Sequence, residues 1–182
     1  MKIYTIQDAT IFPVRDVYYA KWEFVKNNTF TCKDLESYKW MFEHMTSSLK
    51  RENSAPVWGW VRYDRSRKSP DLNDELLGVR GKKYCCMTLD VPKEHCLASN
   101  FEMWCWVLNK WKIPIDENEK EDCVSLEESW ERIFNLDFGE DAFWGRKQNR
   151  PIQVILPCIK KEWIVRTVFF VAGQKNRING IG

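Results

Sequence analysis

The sequence predicts an α+β domain, with a mixed or mainly antiparallel sheet of about five strands carrying three or four helices. Three observations lead there. Several short segments alternate apolar and polar residues with a period of two, others carry apolar stripes at helical spacing behind capping signatures, and the regular strand–helix–strand alternation of a parallel sheet is missing. A chain of 182 residues can close one core without staples, so a single domain is expected over 1–172. The end of the chain, "GQKNRINGIG" (173–182), has little to bury and is expected to fray.

Taken in order, "KIYTIQ" (2–7) alternates and reads as the opening strand. Thr31 and Asp34 form a loose capping box, after which Leu35, Tyr38, Phe42, Met45 and Leu49 fall on one helical stripe. "PVWGWVRY" (56–63) places Val57, Gly59, Val61 and Tyr63 on one face of a strand and Trp58, Trp60 and Arg62 on the other, with Gly59 leaving room for another element to approach. The polar stretch 64–83 holds Pro70 and two glycines and reads as a mobile loop with a short helical piece. "KYCCMTLDV" resumes as a strand and stops at Pro92.

Ser99 and Glu102 form a second candidate capping box, opening a helix over "SNFEMWCWVLNKW". Phe101, Trp104, Cys105, Leu108 and Trp111 share its inner face, whereas Trp106 lies about 200° from Trp104 and is the candidate contact residue. "DENEKED" (116–122) reads as a solvated acidic loop. A third box, Ser125 with Glu128, precedes a helix that turns Trp130, Ile133, Phe134 and Leu136 inward. "PIQVILPCI" fits a strand or a short helix, and "EWIVRTVFFVA" is the strongest strand of all.

Apolar residues at 44% and charged residues at 30% describe a folded chain, not a disordered one. The seven cysteines form an odd set with no C-x-x-C, so free thiols in a reducing cytoplasm are expected, without structural zinc. Cys85 and Cys86 read as buried strand residues in preference to a redox pair. Neither a signal-peptide h-region nor a membrane-length apolar run is present. The net charge of +2 hides an uneven distribution: seven basic and four acidic residues from Arg62 to Lys83, eight acidic and one basic from Asp116 to Glu131, and eight basic and one acidic from Arg146 onward. A partner of mixed chemistry, protein with RNA, suits this better than bare duplex DNA.

Enzyme signatures are absent: there is no G-x-G-x-x-G, P-loop, G-x-S-x-G or H-E-x-x-H. His44 reads as structural or surface. His95 adjoins Cys96, but sequence adjacency does not make a nucleophile pair. Asp71 after Pro70 reads as a solvated loop aspartate. No cofactor or metal is expected, and no carboxylate pair stands out for acid–base work. The binding signal is Arg62, Arg65, Arg67 and Lys68, followed by Arg80, Lys82 and Lys83, beside Trp58 and Trp60. That composition serves phosphate and unpaired-base recognition, protein hot spots, or a plain solvated loop over core tryptophans.

Five segments in this order, "KIYTIQ", "YKWMFEHM", "PVWGW", "LDVPKEHCLASNFEMWCWVLN" and "SWERIFNL", resemble a tryptophan-rich family of unknown function found in bacteria and their mobile elements. The family pattern often has an aspartate where Asn100 stands and a histidine where Cys105 stands, so chemistry resting on that pair would be lost here. Length and segments are also similar to anti-CRISPR proteins of type II-A. The resemblance implies a non-catalytic inhibitor of the guide-loaded, RNA-guided DNA endonuclease of type II systems, blocking target DNA binding or cleavage in the bacterial cytoplasm. In that case the acidic residues Asp116, Glu117, Glu119, Glu121 and Asp122 would meet the nuclease's basic channel, and the Arg62–Lys83 clusters its guide RNA or acidic protein surface. The competing expectations are a nucleotide- or nucleic-acid-processing enzyme with a cleft near Trp58 and Trp60, and a small RNA-binding module.

Overall fold

The period-two segments build a six-stranded sheet. In the structure, a computed structural model describing residues 1–23, 25, 32–75, 77–116, 118, 124–139 and 141–175, its strands are β1 (Lys2–Asp8), β5 (Val57–Arg62), β6 (Lys83–Asp90), β7 (Leu97–Asn100), β8 (Ile152–Leu156) and β10 (Ile164–Val171). They lie in the order β10-β6-β1-β5-β8-β7, and every pairing is antiparallel. Two small ribbons flank the sheet, β2 (Val17–Tyr18) with β9 (Ile159–Lys160) and β3 (Ala20–Lys21) with β4 (Ser54–Ala55). The helices are α1 (Cys32–Glu43), α2 (Phe101–Leu108), α3 (Leu126–Trp130) and α4 (Asp141–Trp144). The result is a single α+β domain, as expected. The main sheet has one strand more than expected: β7 lies in a stretch assigned to no strand and overlaps the expected helix start at Ser99.

Alternation along the strands sends apolar side chains to both faces. Ile3, Val57, Met87, Leu89, Val154 and Leu156 share one core. On the opposite face Ile155 and half-buried Trp58 join Met41, Met103, Trp104 and Trp130 in a second core under α1 and α2, while Tyr84, Cys86 and Phe170 form a third cluster with Leu72. Gly59 is required by the close approach of β1, because a Cβ there would stand 2.6 Å from Ile3 Cγ2. Two buried polar side chains on β1 are satisfied locally: Thr5 donates to the Trp58 carbonyl (2.6 Å) and Gln7 donates to Thr5 (2.8 Å).

The short helical piece expected within 64–83 is not found among the described residues of that segment. Leu72 is buried against the sheet, Tyr63 donates to Asp74 (2.7 Å), and the Val79 N–H donates to the Tyr84 hydroxyl (3.0 Å). Isolated turns close through bonds such as Asp74 N–H to the Asp71 carbonyl (2.9 Å) and Lys82 N–H to the Val79 carbonyl (3.0 Å). An apolar anchor and side-chain bonds to both ends hold a polar segment flat on the sheet.

The helix ends depart from expectation in three places. α1 stops at Glu43, so Met45 is buried from a turn and not from a helix. The Thr31 capping box lies outside the described residues. The N-cap of α2 is Asn100, not Ser99: its side chain accepts from the Glu102 and Met103 N–H groups (2.9 and 3.2 Å). Ser99 is instead a buried strand residue that accepts from Gln153 (3.1 Å). At the other end Lys110 takes a left-handed conformation (φ 59°), and bonds from Lys110 N–H to Val107 and from Trp111 N–H to Trp106 close a Schellman turn. The expected box of Ser125 with Glu128 is present on α3. Residues 176–182 of the tail expected to fray lie outside the described residues.

Candidate anion-binding cleft

The register of β1 sets the stage. Lys2 faces Asp90 and Asp8 faces Tyr84, while Tyr4 faces Trp60, so Arg62 lies at the Lys2 end and Lys83 at the Asp8 end, about 20 Å apart at ~3.3 Å per residue. The two basic clusters expected to flank one loop therefore occupy opposite ends of the sheet.

At the Asp8 end the two lysines have partners, while the Arg80 guanidinium is exposed. Lys82 Nζ binds Asp8 (2.7 Å), and that bond, with help from Thr10, lowers the Asp8 carboxyl to about 2. Lys83 Nζ lies 5.1 Å over the Phe169 ring, and the Arg80 stem packs on Gly173. Between the ends, Arg67 pairs with Asp71 in an exposed turn and Lys68 is exposed.

At the Arg62 end three segments converge: the end of β5, the first turn of α2, and residues 138–150 leading into β8. Arg62 donates to the carbonyls of Lys147 (3.3 Å) and Arg150 (3.1 Å). The Arg150 side chain, 2% exposed, donates from Nε to Gly145 (2.8 Å) and from its terminal nitrogens to the carbonyls of Phe138 and Gly139 and to Asp141 (3.3 Å). A guanidinium has enough fixed donors to close such a loop, so these two arginines build the wall. Gly139, at φ 77°, lets the Trp144 indole lie on the backbone, where a Cβ would stand 2.3 Å from its Cδ1.

The wall encloses a cleft of about 300 Å³, lined by Arg65, Glu102, Asp141, Arg146 and Asn149 with Gly145 and Arg150 behind them. Arg65 is 72% exposed and its Nη2 stands 3.7 Å from Glu102, beyond hydrogen-bond reach. Arg146 is exposed and has no ion pair among the described residues. The cleft therefore presents two guanidinium groups with donors to spare.

Next to it runs an aromatic surface. Trp106, one helical turn after Glu102, packs edge-on against Trp111 (5.7 Å), Phe143 (6.3 Å) and Trp144 (5.3 Å). Trp106 is half-buried, whereas Trp111 is 56% and Phe143 40% exposed. Trp111 corrects the helical-wheel expectation: Trp104 is core, but the Schellman turn takes Trp111 off the wheel. Its carbonyl is pinned by the Trp130 indole N–H (2.9 Å) and that of Pro114 by Trp144 (3.0 Å), which fixes the backbone while leaving the Trp111 ring outside.

Neither Trp58 nor Trp60 is among the residues lining the cleft with Arg65 and Arg146. Trp58 packs on Tyr38 and Trp104, and Trp60 on Tyr63 and Phe101. Asp116 accepts from the Asn118 N–H (2.7 Å), while Glu117, Glu119, Glu121 and Asp122 lie outside the described residues. Cys85 and Cys86 point to opposite faces, and burial pushes their thiols up to about 11 and about 12. His95 stacks on Trp163 while the Cys96 thiol bonds the Pro92 carbonyl, so the two are not aimed at each other. His44 is a structural residue, held between the Trp40 carbonyl (2.7 Å) and Glu131 (2.6 Å). Among the described residues no three His, Cys, Asp or Glu side chains gather to hold a metal, and no helix is long and apolar enough to cross a membrane.

Sequence reasoning missed Glu102, Phe143, Arg146, Asn149 and Arg150 as one site. The signal available was the basic run beginning at Arg146, with nothing local to pair it with Arg65. A family model described as a domain of unknown function (DUF3841) matches residues 2–125, and the chain belongs to that family. No curated protein and no solved structure matches it.

Proposed function

We propose that this DUF3841 member is a stoichiometric inhibitor that binds the guide-loaded, RNA-guided DNA endonuclease of a type II CRISPR system in the bacterial cytoplasm and blocks target DNA binding or cleavage. The ordered tryptophan-rich segments supply the resemblance. The observation that carries the reading is the exposed aromatic surface of Trp111 and Phe143, joined through Trp106, together with the exposed arginines Arg65 and Arg146 of the cleft. Aromatic anchors and arginine dominate the energetics of protein interfaces, and arginine also meets the phosphates of a bound guide.

Gel filtration of the chain with the assembled nuclease tests it: the expected result is co-elution. Trp111→Ala or Phe143→Ala should weaken that complex by about 2 kcal/mol while the melting temperature stays within a few degrees of the parent. Complexes of undiminished strength with both variants would reject this face.

One observation favours a second reading, an enzyme acting on a nucleotide or nucleic acid: Glu102 and Asp141 stand in the same cleft as the arginines. Turnover of a labelled substrate, abolished in Glu102→Gln, would establish it.

A further inference from the structure

We infer that the cleft between Arg65 and Arg146, together with the Trp106 and Phe143 rings beside it, is a binding site for an unpaired nucleotide of a single strand. The arginines take the phosphate and the rings stack the base. The inference rests on the reading above only in using the same face, and it names the nucleic-acid component as what that face touches.

Donor inventory separates the arginines. Arg62 and Arg150 are committed to main-chain carbonyls, whereas Arg65 makes a 3.7 Å ion pair with Glu102 that involves no hydrogen bond and Arg146 has no ion pair among the described residues. A planar guanidinium fork matches two oxygens of a phosphate, and the Asn149 amide lines the same cleft. The fixed carboxylates do not cancel this. Asp141 already accepts from Arg150, and Glu102 sits at the mouth as the group an incoming phosphate displaces from Arg65.

Size then decides what enters. A volume of about 300 Å³ lies at the low end of ligand sites (~300–1,000 Å³), enough for a phosphate and its sugar but not for a stacked base as well. The base must lie outside, and the two helices that contribute Glu102 and Asp141 to the cleft also carry rings in mutual contact: Phe143 stands three residues before Arg146, and Trp106 one helical turn beyond Glu102. Bases in a duplex are paired and stacked away from such a shelf, so an unpaired strand is the ligand that uses both halves.

The test is fluorescence anisotropy of the whole chain at low salt with a labelled short single-stranded RNA, the same sequence as DNA, and the RNA duplex. Single strands should bind and the duplex should bind more weakly. Arg65→Gln combined with Arg146→Gln should weaken binding about tenfold or more, with an unchanged circular dichroism spectrum, and should flatten the salt dependence by roughly 0.7 for each phosphate no longer neutralised. With inorganic pyrophosphate added as a phosphate-only competitor, Phe143→Ala should weaken strand binding about tenfold without changing the competition, and Glu102→Gln should tighten the binding of both strand and competitor. A preference for RNA would point to a guide strand, and one for DNA to a displaced strand. Equal binding by the double variant, equal binding of the duplex, or no binding of either strand by the folded chain would overturn the site. Nuclease inhibition without strand binding would sink this site alone, whereas strand binding without inhibition would sink the inhibitor reading alone.

Discussion

The two ends of the six-stranded sheet carry comparable basic clusters, yet their lysines and arginines are used differently, Arg80 at the Asp8 end being exposed like Arg146 at the other. At the Asp8 end Lys82 is bonded to a carboxylate and Lys83 rests on an aromatic ring. At the Arg62 end two arginines are consumed in building a loop, and that investment leaves Arg65 and Arg146 beside it with open donors and exposed aromatic neighbours. Charge density alone marks neither end as a site. Uncommitted donors next to an apolar shelf mark one of them.

The largest effect that could break this contrast is Arg150→Ala. Removing a buried guanidinium leaves the inward carbonyls of Phe138, Gly139 and Gly145 without donors, and the loss should reach about 3 kcal/mol in urea denaturation. A nearly neutral result would mean that the wall stands without it. Next, charge removal should separate the two ends: Lys82→Gln with Lys83→Gln should leave strand binding within about twofold, where the Arg65 and Arg146 pair costs tenfold. Equal losses would reduce the cleft to general electrostatics.

A smaller effect lies in acid. Asp8 titrates at about 2 in the folded chain, below the ~3.9 of an unfolded aspartate, so its contribution is complete above that value and fades as pH falls from about 4 to about 2. Because Lys82 is largely exposed, the contribution is at most about 1 kcal/mol. Asp8→Asn should remove that slope from melting temperatures measured across the window; an unchanged slope would detach Lys82 from Asp8.

The sheet was largely legible because β1 alternates buried with less buried residues, while β5, β6 and β10 are short runs rich in β-branched, aromatic and other apolar residues. β7 was not: its residues Ser99 and Asn100 are polar but 1% exposed, one bonded across to Gln153 and the other capping α2, so burial and hydrophobicity part company there. Trp111 was misplaced because a lysine at the left-handed position of the Schellman turn gives no glycine signal. The cleft was hidden for a different reason. Arg65, Glu102 and Arg146 are distant in sequence, and only the carbonyls around Arg150 reveal that this arginine is structure and Arg146 is not.

The most direct test is target-DNA cleavage by a guide-loaded type II nuclease with and without this chain at modest molar excess. The account predicts suppressed cleavage by the parent chain and restored cleavage when Trp111 and Phe143 are changed to alanine. Unimpaired cleavage by several divergent nucleases would contradict it.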